Sequence, residues 1–379
     1  MKKIGIITIL NVNNYGAELQ ASALNIKLRD MGYDNEIINY LYYKHKDYKP
    51  EKKSKPIVKI DTITNMKGIA LKWIDKYNKV THAANTKIRK ERFDKFHAEN
   101  TNISKPYKSI SELYNANLDY DVFIVGSDQV WNPNTRTSIE PYFLTFAPKD
   151  KKRISFASSF GVGSLNKDFY PTYKKCFESL DTISCREGSG VDLIKEITGR
   201  EATQVVDPTL LLTKTEWESK MVKYESKEPY ILMYILTYSP YITNLAKEIQ
   251  KQTGYKIIRV CFNSVNVEKD PTILNIVDAG PSEFLGLYAG ASFVLTNSFH
   301  GSVFSLIFEK PFYTIAPATK NNNARQENLL KMVGLENRLV KEGSPFPTDA
   351  LEIDFTFPSE ELERQRQKSL NFLTNAINK

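Results

Sequence analysis

Short apolar stretches alternate with helical patterns along almost the whole chain, and this alternation limits the fold more than any other feature. The first series consists of KIGIITIL, NEIINY, DVFIVGS, RISFASS and DTISCR. The second begins near Pro229 and consists of YILMYIL, YKIIRVCF, SFVLTNS and PFYTIAP. Strand-like runs separated by helices predict mostly parallel sheets covered by helices. Each series therefore predicts one α/β domain.

The length of 379 residues also favours two domains, because it exceeds the size at which a single core usually keeps growing. We predict an N-terminal α/β domain over 1–212 and a C-terminal α/β domain over 213–358. The sequence VVDPTLLLTKTEW, with its Asp-Pro turn, is typical of a junction. Residues 359–379 begin with the capping sequence Ser-Glu-Glu-Leu and are amphipathic. They predict a last helix that packs back across the junction onto the N-terminal domain.

The positive charge of the chain is concentrated in the segment 44–108, which holds 18 Lys/Arg against 7 Asp/Glu, whereas the whole chain has a net charge of +8. Such a segment suits binding to anionic lipid headgroups or to an anionic polymer, and it equally suits a solvated helical insertion in the N-terminal domain. The apolar residues that interleave with its charges are Ile69, Leu71, Trp73, Ile74, Tyr77, Ile88, Phe93 and Phe96.

Several classes of protein do not fit this sequence. Cys176, Cys185 and Cys261 are too few and too scattered for a disulfide framework or a paired-cysteine metal site. There is no His-x-x-x-His pair, GxSxG elbow, glycine-rich phosphate loop or nucleic-acid-binding motif. No apolar run approaches the roughly 20 residues that span a bilayer, and MKKIGIITIL reads as a first strand. We therefore expect a cytoplasmic protein with no metal, cofactor or nucleic-acid partner. At a membrane surface, it could only be a peripheral protein.

Small and polar residues follow two of the predicted N-terminal strands, where ligands bind in parallel sheets. After KIGIITIL, Asn14 and Gly16 open a helix whose N–H groups could meet an anion, or they only form the turn. After DVFIV, Gly126 admits a ligand to the backbone and Ser127 offers a hydroxyl. Asp128 could accept a proton from a sugar hydroxyl, or it could cap a helix.

Two further strands of the first series end in candidate ligand-binding residues. RISFASS ends in Ser158 and Ser159, and DTISCR ends in Arg186. An arginine at the carboxyl end of a strand can hold a carboxylate or phosphate bidentately. The alternative is that Arg186 and Glu187 pair with neighbours on the surface.

The stretch TNSFHGSVFSLIF is the strongest candidate in the C-terminal half. Asn297 and Ser298 end a strand, and His300 with Gly301 opens an apolar helix, so the imidazole stands at a helix N-terminus, where the dipole favours anions. This placement suits proton transfer beside an anionic substrate, although a buried structural histidine is the alternative. Arg325, at a predicted helix start, could contact an anion or pair locally. The other histidines all lie in the basic segment, at His45, His82 and His97.

Taken together, five stretches resemble the polysaccharide pyruvyl transferase family in order and spacing: GSDQVWNP, SFASSFG, SCREGSG, VVDPTLLL and TNSFHGSVFSLIFEKPF. The resemblance implies two Rossmann-like domains facing across a cleft, as in glycosyltransferases of the GT-B type. It also implies transfer of the enolpyruvyl group of phosphoenolpyruvate onto two sugar hydroxyls, which forms a cyclic ketal.

The resemblance assigns roles to particular residues and also exposes two departures. Arg186 and His300 match the donor-binding arginine and histidine, and Asp128 matches the acid that follows the Gly-Ser turn. Many members have arginine where this chain has Ser298, so we expect Arg325 to supply that phosphate contact. Many members also have Gly-Asp where this chain reads Gly-Ala-Glu, which leaves the substrate-binding role of Glu18 open.

The resemblance further implies a sugar acceptor carried on a polyprenyl diphosphate, in bacterial surface polysaccharide synthesis, and the basic segment offers a reason for peripheral binding at the membrane. Two rival functions stay open: a nucleotide-sugar glycosyltransferase using the same two-domain cleft, and a non-catalytic assembly protein of a polysaccharide complex.

Overall fold

The computed structural model describes residues 1–10, 13–41, 43, 45–50, 83–134, 138–261, 267–318, 323–348 and 351–379. The N-terminal half contains strands β1 (Lys3–Ile7), β2 (Asp34–Ile37), β3 (Val122–Val125) and β4 (Lys152–Ser155). They form a parallel sheet in the order β2-β1-β3-β4. A short parallel pair, β5 (Ser184–Cys185) and β6 (Thr203–Gln204), adjoins β4 through a backbone bridge between Ile154 and Thr182.

The C-terminal half contains a second sheet, which is parallel throughout. Its strands are β7 (Tyr230–Tyr234), β8 (Lys256–Val260), β9 (Ile273–Ile276), β10 (Phe293–Thr296), β11 (Phe312–Ala316) and β12 (Leu339–Lys341). They lie in the order β12-β11-β10-β7-β8-β9. The central strands β7, β10 and β11 are buried at every position, as expected for parallel strands covered on both faces. The predicted fold class, two α/β units with parallel sheets, is confirmed.

Helices connect the strands in both halves. The N-terminal half has α1 (Tyr15–Asp30), α2 (Ala83–Asn100), α3 (Ile110–Tyr114), α4 (Tyr170–Phe177) and α5 (Gly188–Thr198). The C-terminal half has α6 (Lys214–Glu218), α7 (Pro240–Thr253), α8 (Pro281–Gly290), α9 (Phe299–Ile307), α10 (Ala324–Met332) and α11 (Thr356–Asn378). Among the described residues, no helix is both long and apolar enough to cross a membrane.

The predicted junction contains a local signal for a helix start. Thr213 accepts a hydrogen bond from the backbone N–H of Glu216 at 3.2 Å, and the Glu216 carboxylate accepts one from the Thr213 N–H at 2.6 Å. This capping box satisfies two N–H groups that would otherwise lack partners, and it begins α6. The strands of the first sheet end before this point and those of the second begin after it.

The last helix contacts the N-terminal half, as predicted, but it begins at Thr356, so Ser359 lies inside it and is not its cap. Ser369 accepts a hydrogen bond from the Val206 N–H at 3.0 Å, and Arg366 donates to the Leu210 carbonyl at 2.7 Å. At the far end of α11, Lys2 donates to the Ile377 carbonyl at 2.6 Å. Helix α11 thus joins the beginning and the end of the chain.

Within the described part of the basic segment, one face of α2 packs between the two halves of the molecule, whereas Lys87, Lys90 and Lys95 on its other side are exposed. Helix α2 lies against α1 and α8, and its Phe93 and Phe96 belong to the apolar core. The prediction that these two side chains could contact lipid is therefore wrong, because they are buried and not available to a membrane. Ile88, on the same helix, is exposed. The predicted apolar contacts Ile69, Leu71, Trp73, Ile74 and Tyr77 lie outside the described residues.

Candidate functional site

A buried carboxylate brings together residues from both halves of the molecule. Asp207, only 1% exposed, follows β6 in the VVDPTLLL stretch. Its Oδ2 accepts a hydrogen bond from Arg186 Nη1 at 2.6 Å and lies 3.6 Å from His300 Nε2. Ser127 Oγ donates to the same oxygen at 3.3 Å. Three predicted site residues therefore converge on one atom.

Sequence reasoning assigned Asp207 only to a turn between domains and missed its place in this cluster. Its other oxygen, Oδ1, accepts hydrogen bonds from the N–H of Thr209 at 3.0 Å and from the Thr209 hydroxyl at 2.7 Å. The carboxylate is thus oriented from both sides. The signal that could have found it was present, because Asp207 directly follows Val205 and Val206 just beyond the end of β6.

The charges of the cluster shift the pKa values of its members. Burial alone would raise the pKa of Asp207, but the adjacent His300 and Arg186 lower it well below its usual range. Burial opposes the charged form of Arg186, yet the carboxylates of Glu187, Asp207 and Asp128 raise its pKa. Both groups are therefore ionised, and the cluster contains a strong ion pair shielded from water.

Arg186 is buried and already has partners on two of its edges. Its Nε donates to Glu187 Oε1 at 2.9 Å, while Nη1 binds Asp207. The expected bidentate grip on a ligand is therefore not available in this arrangement, because carboxylates of the protein occupy those edges. The pairing with Glu187 does exist, but it is buried and not on the surface as the alternative supposed. The guanidinium carbon lies 4.6 Å from the centre of the Phe299 ring.

Arg325 joins Arg186 beside the same aromatic ring. It lies in the first turn of α10, with its guanidinium carbon 5.7 Å from the Phe299 ring centre. With the Gln129 amide oriented so that its oxygen faces Arg325, that oxygen accepts from Nη1 and Nη2 at 3.1 and 3.2 Å. Burial and the neighbouring charge of Arg186 lower the pKa of Arg325. The structure thus brings the two predicted arginines together.

Three nitrogens of this cluster are buried without a hydrogen-bond partner among the described residues. They are Arg186 Nη2, Arg325 Nε and His300 Nε2. Buried polar groups are normally satisfied, so unpaired donors in one cluster are a mark of a ligand site. The residues of this cluster that line the adjoining pocket are Arg186, Asp207, Phe299 and Arg325, and His300 is not among its lining residues.

His300 is held at the start of α9 by the turn that precedes it. Ser298 is the N-cap of α9 and accepts from the Gly301 N–H at 3.4 Å. Asn297 accepts from the Leu236 N–H and donates to the Thr237 carbonyl, both at 2.8 Å. A Cβ at Gly301 would lie 2.1 Å from Thr296 Oγ1, so only glycine fits there. Asn297, Ser298 and Gly301 therefore stabilise this turn. Ser298 caps the helix and does not supply the positive charge of the arginine that many family members have at this position.

The N-terminal loop reaches the imidazole through Gly16. A Cβ at this position would lie 2.1 Å from His300 Nδ1, so the backbone of Gly16 rests directly on the ring. Asn14 is the N-cap of α1 and accepts from the Ala17 N–H at 3.1 Å. Asn14 therefore forms the turn, as the alternative interpretation stated. Position 16 is glycine because the backbone there approaches the His300 ring closely. Glu18 is not part of the cluster, because its carboxylate contacts His97 Nδ1 of α2 at 2.7 Å.

The predicted serines fasten strand ends to one another. Ser158 donates to the Val125 carbonyl at 3.1 Å, and Ser159 donates to Glu187 Oε1 at 2.8 Å. Ser127 donates to the Ala157 carbonyl at 2.7 Å as well as to Asp207. All three are fully buried, so they support the cluster from behind.

Gly126 and Asp128 flank this serine network. Gly126 has a φ of +120°, and a Cβ there would lie 2.1 Å from the Phe156 carbonyl oxygen. The close approach of the protein's own backbone therefore explains why position 126 is a glycine. Asp128 has a φ of +68° and starts no helix, so the helix-cap interpretation is wrong. The negative charge of its half-buried carboxylate favours the charged forms of Arg186 and Arg325.

The fold and this cluster define a two-domain α/β protein whose charged site lies where the carboxyl ends of its two sheets meet. The family model for polysaccharide pyruvyl transferase matches residues 14–319, a range that contains Arg186, Asp207 and His300 and all strands except β1 and β12, whereas Arg325 lies beyond it. The chain belongs to the polysaccharide pyruvyl transferase family, a family of transferases. Among the described residues, no group of three or more His, Cys, Asp or Glu side chains could hold a metal ion.

No curated protein matches the chain. Among solved structures it is similar to the UDP-GlcNAc 2-epimerase of Methanocaldococcus jannaschii, with 13% identity, a TM-score of 0.47, and coverage of 97% of this chain and 93% of that one. It is also similar to an alpha-glucosyltransferase in complex with UDP and DNA, with 11% identity, a TM-score of 0.48 and coverage of 100% of both chains. The UDP-GlcNAc 2-epimerase of Neisseria meningitidis gives 10% identity, a TM-score of 0.45, and coverage of 99% and 94%. Likeness at this level carries no information on function.

Proposed function

We propose that the protein transfers the enolpyruvyl group of phosphoenolpyruvate onto two hydroxyls of a sugar and forms a cyclic pyruvate ketal in a bacterial surface polysaccharide. One observation carries this proposal within the family: Arg186 and Arg325, from the two halves of the molecule, each have a buried guanidinium nitrogen without a hydrogen-bond partner among the described residues, and His300 lies beside them, 3.6 Å from Asp207. A small anion with a carboxylate and a phosphate suits such a set of donors.

The donor would bind beside carboxylates that already offset part of the positive charge. Asp207 and Glu187 hold Arg186, and Asp128 lies near both arginines. The anion would therefore use the edges that these carboxylates leave open, namely Arg186 Nη2 and Arg325 Nε. The protein carboxylates keep the guanidiniums oriented before the donor arrives, which lowers the cost of reorganisation during the reaction.

Protonation of the donor's methylene carbon starts the proposed reaction, with His300 as the acid. The positive charge that develops at C2 is then attacked by the first sugar hydroxyl, whose proton passes to Asp128. Breaking the C2–O bond releases inorganic phosphate, and the second hydroxyl adds to C2 with loss of its proton. The proton of the first hydroxyl passes from Asp128 to the leaving phosphate, and the proton of the second hydroxyl restores His300, which gave its own proton to the methyl group. The proposal uses no metal or cofactor.

We further propose that the acceptor sugar is carried on a polyprenyl diphosphate and that the basic segment 44–108 brings the protein to an anionic membrane surface. Because Phe93 and Phe96 are buried, this contact would be electrostatic, through the exposed lysines of α2 and the other basic residues of the segment. Flotation with vesicles of phosphatidylcholine and phosphatidylglycerol should recover the protein at low salt and lose it at high salt. Charge reversal at Lys52, Lys53 and Lys55 should abolish recovery, and vesicles of phosphatidylcholine alone are the control. Equal binding to both vesicles would contradict the membrane proposal.

The function itself is tested with phosphoenolpyruvate and lipid-linked oligosaccharides extracted from cells that lack the protein. Mass spectrometry should show a gain of about 70 Da on the sugar, the mass of the donor less phosphoric acid, together with release of inorganic phosphate. Phosphoenolpyruvate, but not UDP-GlcNAc, should raise the melting temperature. Stabilisation by UDP-GlcNAc alone would favour glycosyl transfer, and no effect of either ligand would favour a non-catalytic assembly protein.

A further inference from the structure

Arg89, in the basic helix α2, binds backbone groups from both halves of the molecule. It is 4% exposed, and its Nη1 donates to the carbonyls of Cys261 at 3.1 Å and Ala279 at 3.0 Å in the C-terminal half. Its Nη2 donates to the carbonyl of Asn13 at 3.2 Å in the N-terminal half. One guanidinium therefore joins the loop before α1 to the second domain.

Tyr15 takes part in the same bridge. Its hydroxyl contacts Arg89 Nη1 and donates to the Ala279 carbonyl at 2.8 Å. Its ring stacks on Phe284 of α8 with the centres 4.4 Å apart, and the Arg89 guanidinium lies 4.4 Å from the centre of the Tyr15 ring. Burial raises the pKa of Tyr15 to about 12, so the hydroxyl keeps its proton at neutral pH. The first residue of α1 is thus held from the C-terminal half.

No carboxylate among the described residues forms an ion pair with Arg89. The charge is held by carbonyl oxygens and by the ring faces of Tyr15 and Phe93. A buried charge without an opposite charge is costly, and an apolar side chain of similar size often stabilises a core better. What a guanidinium adds is direction, because its donors have a fixed planar geometry. Arg89 is therefore suited to setting the geometry between the domains.

The spacing that Arg89 sets between the domains reaches the imidazole of the charged cluster through Gly16. Gly16 follows Tyr15 in the chain and rests on the His300 ring. A shift of the Asn13–Tyr15 turn relative to the C-terminal half would therefore change the contact that confines the imidazole. Displacements of about 1 Å at reacting groups can reduce rates by about 100-fold.

We propose that Arg89 is a positioning residue, which holds the two domains at the spacing that keeps Gly16 against His300. The kinetic part of this inference rests on the proposed function. The structural part does not, because it concerns the environment of the imidazole in the protein alone.

The decisive variant is Arg89→Lys, which retains the charge but cannot reach carbonyls of both domains with one compact ammonium group. The chain has only four histidines, so a histidine-labelled sample gives a simple NMR spectrum in which His300→Gln assigns the signal of interest. We expect Arg89→Lys to shift the His300 signal and to lower kcat by about tenfold or more, with KM for phosphoenolpyruvate changed by less than about threefold.

Arg92→Lys is the matched control, because Arg92 lies on the same helix and pairs with Asp278 and Glu283 at the half-exposed rim of the same interface. It should leave the His300 signal and kcat unchanged. If Arg89→Lys does not fold, Tyr15→Phe removes the hydroxyl bond to Ala279 and should shift the same signal less. An unchanged His300 signal in both Arg89→Lys and Tyr15→Phe would overturn the inference. If the wild-type protein has no activity with phosphoenolpyruvate, the NMR result still decides the structural part.

Discussion

Asp207→Asn should lower the free energy of unfolding by about 3–5 kcal/mol, because it leaves the buried Arg186 charge without its closest counter-ion. The Asp207 carboxylate accepts from Arg186 at 2.6 Å and from Thr209 at 2.7 and 3.0 Å, and it lies 3.6 Å from His300. Asparagine keeps the shape but offers only one acceptor oxygen. Chemical denaturation at pH 7 measures the loss, and formation of the ketal product should fall with it because Arg186 and His300 no longer share an anion.

The difference in stability between the wild-type protein and Asp207→Asn should depend on pH, and the sign of this dependence follows from the pKa of Asp207. The folded-state pKa of Asp207 lies below the unfolded value, since nearby positive charges outweigh the effect of burial. Its stabilising contribution is therefore fully present above about pH 4 and is lost as the pH falls towards the folded-state pKa. The gap in stability between the wild-type protein and Asp207→Asn should shrink when the protein is acidified.

Asp278→Asn provides the comparison for this experiment. Asp278 also pairs with an arginine, Arg92, at 3.0 Å, but the pair is partly exposed. Its loss should cost less than about 1 kcal/mol, the usual range for surface pairs. Equal effects of the two substitutions at pH 7 would show that the Asp207 charge is not the buried counter-ion described above.

Gly16→Ala should reduce kcat by about 100-fold while the protein stays folded. The added Cβ would lie 2.1 Å from His300 Nδ1 and 2.7 Å from Cε1, far inside normal contact distance. Either the imidazole or the N-terminal turn must therefore move. Alanine has a higher helix propensity than glycine, so a simple effect on α1 would have the opposite sign. Steady-state kinetics measures the loss of kcat, and circular dichroism shows whether the helical structure is retained.

A second glycine tests whether the effect is specific to the imidazole contact. Gly188 also lies in the first turn of a helix near the cluster, but the nearest atom to a Cβ there is Gln204 Oε1 at 3.3 Å. Gly188→Ala should keep kcat within about threefold of the wild-type value, because a flexible side chain can give way. Full activity of Gly16→Ala would refute the role of close approach to His300.

Local patterns in the sequence were sufficient for the secondary structure and for part of the site. The alternation of apolar runs and helices predicted two parallel sheets, and the rule that ligands bind at the carboxyl ends of strands selected Arg186 and His300. The same rule also selected Ser158 and Ser159, whose hydroxyls bind other parts of the protein. A strand end can be found from sequence, but the direction of its side chains depends on neighbours that are distant in the chain.

The sequence by itself determined the two α/β halves, the existence of the last helix and the position of His300 at a helix start, because each depends on periodicity and capping within a few residues. Only the tertiary structure decided that Asp207 is the shared counter-ion, that Gly16 lies against the imidazole and that Arg89 bridges the domains. Each of these contacts joins segments far apart in the chain, so it exists only once both sheets and α2 are packed. Charge pairing and close approach are properties of that packing, and they leave no periodic signal in the sequence.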